Sequence, residues 1–226
     1  MFKTETHLHT AEVSKCARVC AADLIAMYHE AGYSTVFVSD HFQTNTLDSK
    51  GDIPWEEKID SFLEGYRVAK DAGDKLGVTV LPCAEFRLAD SSNHFLVYGI
   101  SREFLVANPE MHKLSAEEFA AIAHEWGLYI VHAHPFRDSA RHPKPELVDA
   151  IEVYNSNPRH ENNTDLAEEL ARSLDLPVTA GSDTHRTEDV ACSGVATEYR
   201  IETAEDYIRA VRDRQISIIK RDGEEI

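Results

Sequence analysis

Lys3-Thr4-Glu5-Thr6-His7-Leu8-His9 is a short β-branched run that ends in two histidines one residue apart. Alternate side chains of an extended chain share a face, so His7 and His9 point the same way and suit chelation of one ion. The pattern of a strand tipped with a ligand-type residue recurs along the chain. Strands are expected over residues 3–7, 35–40, 79–85, 95–99, 129–134, 150–155 and 177–180. Asp40-His41 ends the second and Glu85 the third. His132-Ala133-His134-Pro135 ends the fifth, and Asp183-Thr184-His185 follows the last after Gly181.

Amphipathic stretches separate most of these runs. Leu24, Met27, Tyr28 and Ala31 form one stripe, closed by Gly32. Trp55, Ile59, Phe62, Leu63, Tyr66 and Ala69 predict one longer helix. Ser115 and Glu118 read as a capping box before Phe119, Ile122 and Trp126. Leu166, Ala167, Leu170 and Leu174 form a fourth stripe, and a last helix opens at Thr203 and Asp206 to bury Tyr207, Ile208 and Val211. Loops are expected over 48–54 and 137–145. Strands alternating with helices predict a mainly parallel sheet covered by helices. A single α/β barrel domain over residues 1–226 is the expected architecture, with a doubly wound open sheet as the alternative. No Gly-x-Gly-x-x-Gly follows the first strand, which argues against dinucleotide binding.

In such barrels the C-terminal ends of the strands carry the site, so separate strands are expected to deliver His and carboxylate to one mouth. His94 starts a strand instead. Only residues 86–93 separate it from Glu85, too few for a helical crossover, so a hairpin is expected to return His94 beside Glu85. Of the 12 histidines, His29, His112, His124, His142 and His160 are expected to be solvated. Tyr28 and Trp126 are expected in the core, and Cys16 and Cys20 as packing residues.

The 226 residues carry 23 Lys+Arg against 40 Asp+Glu, a net charge of −17 that disfavours duplex nucleic acid and acidic membrane surfaces. It does not exclude a small phosphorylated ligand, because bound metal ions reverse the local sign. The four cysteines form no Cys-x-x-Cys pair and suggest no disulfide framework. No apolar run is long enough to span a bilayer, and Lys3 and Glu5 precede any apolar run, unlike a signal peptide. A reducing cytoplasm is the expected setting.

His7-Leu8-His9-Thr10, Ser39-Asp40-His41, Ala84-Glu85, His94, Ala133-His134-Pro135 and Gly181-Ser182-Asp183-Thr184-His185 together, in this order, resemble the PHP (polymerase and histidinol phosphatase) family over nearly the whole chain. The resemblance implies a distorted (β/α)7 TIM-like barrel holding two or three divalent ions, zinc, manganese or iron. It implies one ion on His7, His9, Glu85 and Asp183, a second sharing Glu85 with His94 and His134, and a third on His41 and His185. The family's remaining ligand for the third ion lacks a match in Ala11-Glu12-Val13-Ser14-Lys15-Cys16, where Glu12 is the expected substitute and Cys16 the runner-up. Asp40 is expected to support the ligands, and His132 either to support them or to be structural.

The implied reaction is hydrolysis of a small phosphorylated metabolite or nucleotide, with Glu85, Asp183, His185 and Arg137 in catalysis and Arg137, Asn155 and Arg159 on the substrate. Residues 42–54 and the helix after them are expected to form part of its wall. A histidinol-phosphatase-like phosphomonoesterase is one alternative. An amidohydrolase-type enzyme acting on carbon is another, although no strand-end Lys replaces Glu85 as a carbamylated bridge. The oligomeric state is not legible.

Overall fold

The computed structural model describes residues 1–89, 91–137 and 144–221. His142 and most of the loop expected over 137–145 lie outside them. The strands are β1 (Phe2–Glu5), β2 (Tyr33–Val38), β3 (His41–Phe42), β4 (Thr79–Arg87), β5 (His94–Tyr98), β6 (Tyr129–Ala133), β7 (Ala150–Asn155), β8 (Val178–Gly181), β9 (Gly194–Thr197) and β10 (Ser217–Ile219). Between them lie α1 (Ala21–Glu30), α2 (Thr44–Leu47), α3 (Trp55–Phe62), α4 (Glu64–Leu76), α5 (Arg102–Ala107), α6 (Ala116–Glu125), α7 (Thr164–Ser173) and α8 (Ala204–Arg212).

All seven expected strands are present within a residue or two of their expected ends. They form one curled sheet in the order β10-β9-β1-β2-β4-β5-β6-β7-β8, with β3 beside β4. The sheet is nearly closed rather than doubly wound. Leu8 bridges to Thr184 in parallel, through His9 N to Thr184 O at 3.0 Å and Thr184 N to His7 O at 3.2 Å. Two features depart from a plain parallel barrel. β5 runs antiparallel to both β4 and β6, as the hairpin required. β9, antiparallel to β1, and β10, antiparallel to β9, extend the sheet by short strands whose three or four residues leave too little pattern to read.

Below the seam between β1 and β8, side chains replace the missing ladder. Glu5, fully buried on β1, accepts from Thr6 N, His7 N and Ser182 N at 2.9, 2.8 and 3.0 Å, while Tyr28 Oη donates to its other oxygen at 2.6 Å. Thr6 Oγ1 donates to Ala180 O at 2.6 Å. Gly181 lets the strands approach, since a Cβ there would stand 2.5 Å from the His7 Cβ.

Phe37, Tyr98 and Tyr207 meet ring to ring, with centroids 4.6–5.0 Å apart. Tyr98 Oη donates to Thr6 O, and Tyr207 Oη pairs with Thr179 Oγ1, so α8 is tied to β1 and β8 through aromatic side chains. The space inside the strands is therefore a packed core, not a pore.

The capping boxes at Ser115/Glu118 and Thr203/Asp206 are present. The long helix expected from Trp55 onward is instead two helices, with a turn at Leu63. Trp126 is 42% exposed beside Phe104, not core, because it lies past the end of α6. Leu166 and Leu174 are exposed as well, and α7 buries Ala167 and Ala171. His112, expected in solvent, is buried, stacked on Trp55 and 3.5 Å from Asp48. His29, His124 and His160 are exposed.

Candidate metal centre

The ligand-type residues at strand ends gather at one mouth of the barrel. His41 lies in register with Glu85 across β3 and β4. Because β5 is antiparallel, its first residue lies where the parallel strands end, and His94 Nδ1 comes within 2.8 Å of Glu85 Oε1. His134 and Asp183 follow β6 and β8 in left-handed backbone, with φ of 33° and 52°. Such conformations are uncommon outside glycine and asparagine and gather at functional sites.

Glu85 is the hub. Five imidazole nitrogens lie within 3.6 Å of its carboxylate: His41 Nδ1 at 2.6 Å, His94 Nδ1 at 2.8 Å, His134 Nε2 at 3.0 Å, and His7 and His9 Nε2 at 3.6 Å. A carboxylate offers only about four lone-pair sites. The His41 approach is short yet has no hydrogen-bond geometry, and both atoms are buried without another hydrogen-bond partner. That is how lone pairs converging on a shared cation are arranged.

The described residues form four overlapping triads, His7/His9/Glu85, His7/His134/Asp183, His41/Glu85/His94 and His9/His41/His185, with ligand atoms within 4.8 Å of one another. Two donors at about 2.1 Å from one ion stand roughly 3–4 Å apart, so the residues fit divalent metal. Mixed imidazole and carboxylate suit zinc, manganese or iron over calcium. The residues expected to divide among three ions thus form one continuous cluster.

Burial opposes charge on both carboxylates, yet His94 and His41 hold Glu85, and His7 and Arg137 hold Asp183, well below the usual range. Burial and the flanking rings of His41 and His185, at 4.2 and 4.4 Å, push His9 well down. Neutral imidazole is the ligating form. Burial also opposes charge on His41, but Glu85 and Cys16 raise it to about 10.

Glu12 is a correction. Its carboxylate accepts from Ala21 N at 3.0 and 3.1 Å, satisfying the start of α1, where the Cys20 side chain makes no cap bond. It belongs to none of the ligand clusters among the described residues. Cys16, which is exposed rather than packed, lines the cleft with His41 and His185. Burial raises its thiol, but those two rings outweigh this and bring it down to about 6. Lys15 turns away, donating to Asn45 O at 3.2 Å.

The residues expected to grip substrate are already engaged. Arg137 is buried, with Nη2 donating to Asp183 Oδ2 at 2.6 Å and Asn155 Oδ1 at 2.8 Å, and Nε donating to Asn162 Oδ1 at 3.0 Å. It holds a ligand in place. Asn155 also donates to Glu152 Oε2 at 3.0 Å, and Arg159 forks onto Asp189 at 2.9 and 2.5 Å. Asp189 in turn accepts from His185 N and Arg186 N, fixing the loop that presents His185.

Asp40 accepts from Thr10 N, Thr10 Oγ1 and Ser14 Oγ, and Ser14 Oγ lies 3.4 Å from His9 Nδ1, so its support of His9 passes through Ser14. His132 is buried against Phe95 and stands in none of the triads.

Sequence reasoning missed Glu152. Its Oε1 lies 2.9 Å from His7 Nδ1, turning Nε2 toward the other ligands, and Oε2 accepts from His134 N at 3.0 Å. A carboxylate inside the apolar run Ala150-Ile151-Glu152-Val153 was the available signal, because buried charge needs a partner. Glu152→Gln is expected to weaken metal affinity by about 10- to 100-fold, the usual effect of losing a ligand's hydrogen-bond partner. A chelator-competition titration measures this, and unchanged affinity would remove Glu152 from the site.

Residues 161–216 match the family model for PHP-associated sequences. The fold matches a two-domain protein from Bacteroides vulgatus described as containing a PHP-like metal-dependent phosphoesterase, with a TM-score of 0.74 at 14% identity, over 98% of this chain and 65% of that one. The chain shares that neighbour's barrel fold. The fold also matches a protein from Bifidobacterium adolescentis described as a metal-dependent phosphoesterase, with a TM-score of 0.58 at 17% identity over 94% and 96% of the two chains. A lesion-specific endonuclease from Pyrococcus furiosus matches with a TM-score of 0.62 at 16% identity, over 96% of this chain and 57% of that one. No curated protein matches by sequence. No helix of the described residues is long and apolar enough to cross a membrane.

Proposed function

We propose that this chain is a PHP-type metal-dependent phosphoesterase acting on a small phosphorylated metabolite or nucleotide. The observation that carries the reading is the convergence of five histidines on the buried Glu85 carboxylate at the mouth of the barrel. His7, His9, Glu85 and Asp183 would hold one divalent ion, His94 and His134 with Glu85 a second, and His41, His185 and Cys16 a third. When bound, such ions activate water near neutral pH and neutralise charge on phosphoryl oxygens.

The chain's own residues do the rest. Arg137 and Glu152 fix Asp183 and His7 in place. His185 and His41, only 12% exposed, border the cleft, and where the third ion is absent either would hold a proton for a leaving-group oxygen. A cleft of about 400 Å³ bordered by these rings and by Arg159 and Arg186 takes a small ester. The net charge of −17 works against long polyanions, while the local cations favour a compact anion.

Turnover of the metal-reconstituted protein on phosphomonoesters, phosphodiesters and amides tests the reading. Release of phosphate or cleavage of a diester is expected. Cleavage of the amides alone would reassign the chain to carbon-centred hydrolysis.

A further inference from the structure

Arg87 stands on β4 two residues after Glu85, so the two side chains share a strand face. Arg87 is a step of roughly 6.6 Å nearer the open mouth. It lies in register with His94, itself 2.8 Å from Glu85. Its side chain borders the cleft over the metal centre, beside His41, His94 and His185. It also borders an adjoining groove of about 250 Å³ lined by Gln43, Thr44, Asn45 and Ser91. It therefore sits where the two spaces meet.

The neighbouring cations are taken. Arg137 is bound to Asp183, Arg159 to Asp189, and Arg186 lies 3.8 Å from Glu188. Arg87 is exposed, and among the described residues none of the hydrogen bonds or ion pairs engages it. In a chain with 40 acidic residues, a guanidinium with no carboxylate partner among the described residues, at the mouth of an anion-handling cleft, is an anion receptor.

We propose that Arg87 binds a second anionic group of the substrate. The preferred substrates are then small phosphoesters bearing a carboxylate or a second phosphate a few bonds from the scissile one, with the groove beyond Arg87 receiving that end. This rests on the phosphoesterase reading. Arg87 is a specificity residue that contacts the substrate away from the reacting atoms.

The test compares the full-length, metal-reconstituted wild type with Arg87→Ala and Arg87→Lys on propyl phosphate, 3-phosphooxypropanoate and propane-1,3-diyl bisphosphate. Wild type is expected to favour the doubly anionic esters by kcat/KM, and in Arg87→Ala that preference falls roughly 10- to 100-fold, the range for one charge-assisted contact. Arg87→Lys retains part of it. The larger Arg87-dependent loss, with carboxylate or with phosphate, identifies the second group. An unchanged preference in Arg87→Ala overturns the proposal.

Calorimetric binding of propylphosphonate and propane-1,3-diylbisphosphonate separates the two readings. Arg87-dependent preference for the bisphosphonate without turnover of any phosphoester retains the anion site and discards the hydrolytic reading. Turnover without Arg87-dependent preference does the reverse.

Discussion

Replacing Glu85 by glutamine is expected to strip the chain of bound metal and of turnover together. Glutamine keeps the volume but has one acceptor oxygen and no charge, while five imidazole nitrogens still point at it. Losing a partner of a ligand costs up to about a hundredfold in metal affinity or activity, and losing the ligand shared by two triads costs more. Metal content per chain by elemental analysis and kcat/KM on a phosphoester measure both. His124→Ala is the matched control, since His124 is exposed and bonds only Asp149 among the described residues. Wild-type metal content and activity in Glu85→Gln would refute the hub.

The second large effect is on stability. Glu5→Ala is expected to lower the unfolding free energy by at least about 3 kcal/mol, because it orphans several buried donors and each costs about 1–3 kcal/mol. Those donors are Thr6 N, His7 N and Ser182 N. Tyr28 Oη retains Thr184 Oγ1 at 2.6 Å as a partner. Against a typical total of about 5–15 kcal/mol, this is a large fraction. Glu5→Gln should cost well under half as much. The amide oxygen can serve the three N–H groups, and Tyr28 can turn its hydroxyl to Thr184 while accepting from the amide nitrogen. Urea titrations of the three proteins read the difference. Coincident midpoints for Glu5→Ala and wild type would show that the seam needs no carboxylate.

The chain's strand ends are local facts, which is why they were readable. A β-branched run has a period of two residues, so a histidine or carboxylate at its end has a defined side and depth whatever lies around it. That reasoning put His7, His9, Glu85 and Asp183 at or just past strand ends, and the family resemblance singled out His134 from His132. Chain length alone located His94, because eight residues cannot cross the sheet by a helix. Helix details were less legible where burial is decided by neighbours. Leu166 and Leu174 fit an apolar stripe, but α7 sits on the sheet through Ala167 and Ala171. His112 looks solvated until Trp55 covers it.

Sequence by itself determined the alternation of strands and helices, the order of the ligand-bearing ends and their shared mouth. The tertiary structure alone decided who partners whom. Glu12 is drawn to the unsatisfied amide at the start of α1, and Cys16 faces the cleft in its place. Arg137 is held by Asp183, while Arg87 borders the cleft without a hydrogen-bond or ion-pair partner among the described residues. Glu5 and Glu152 are buried because the barrel's seam and His7 need acceptors that no ladder supplies. Periodicity is carried along the chain, but a hydrogen bond or ligand bond depends on distances across the barrel, which exist only after β8 has come round to β1.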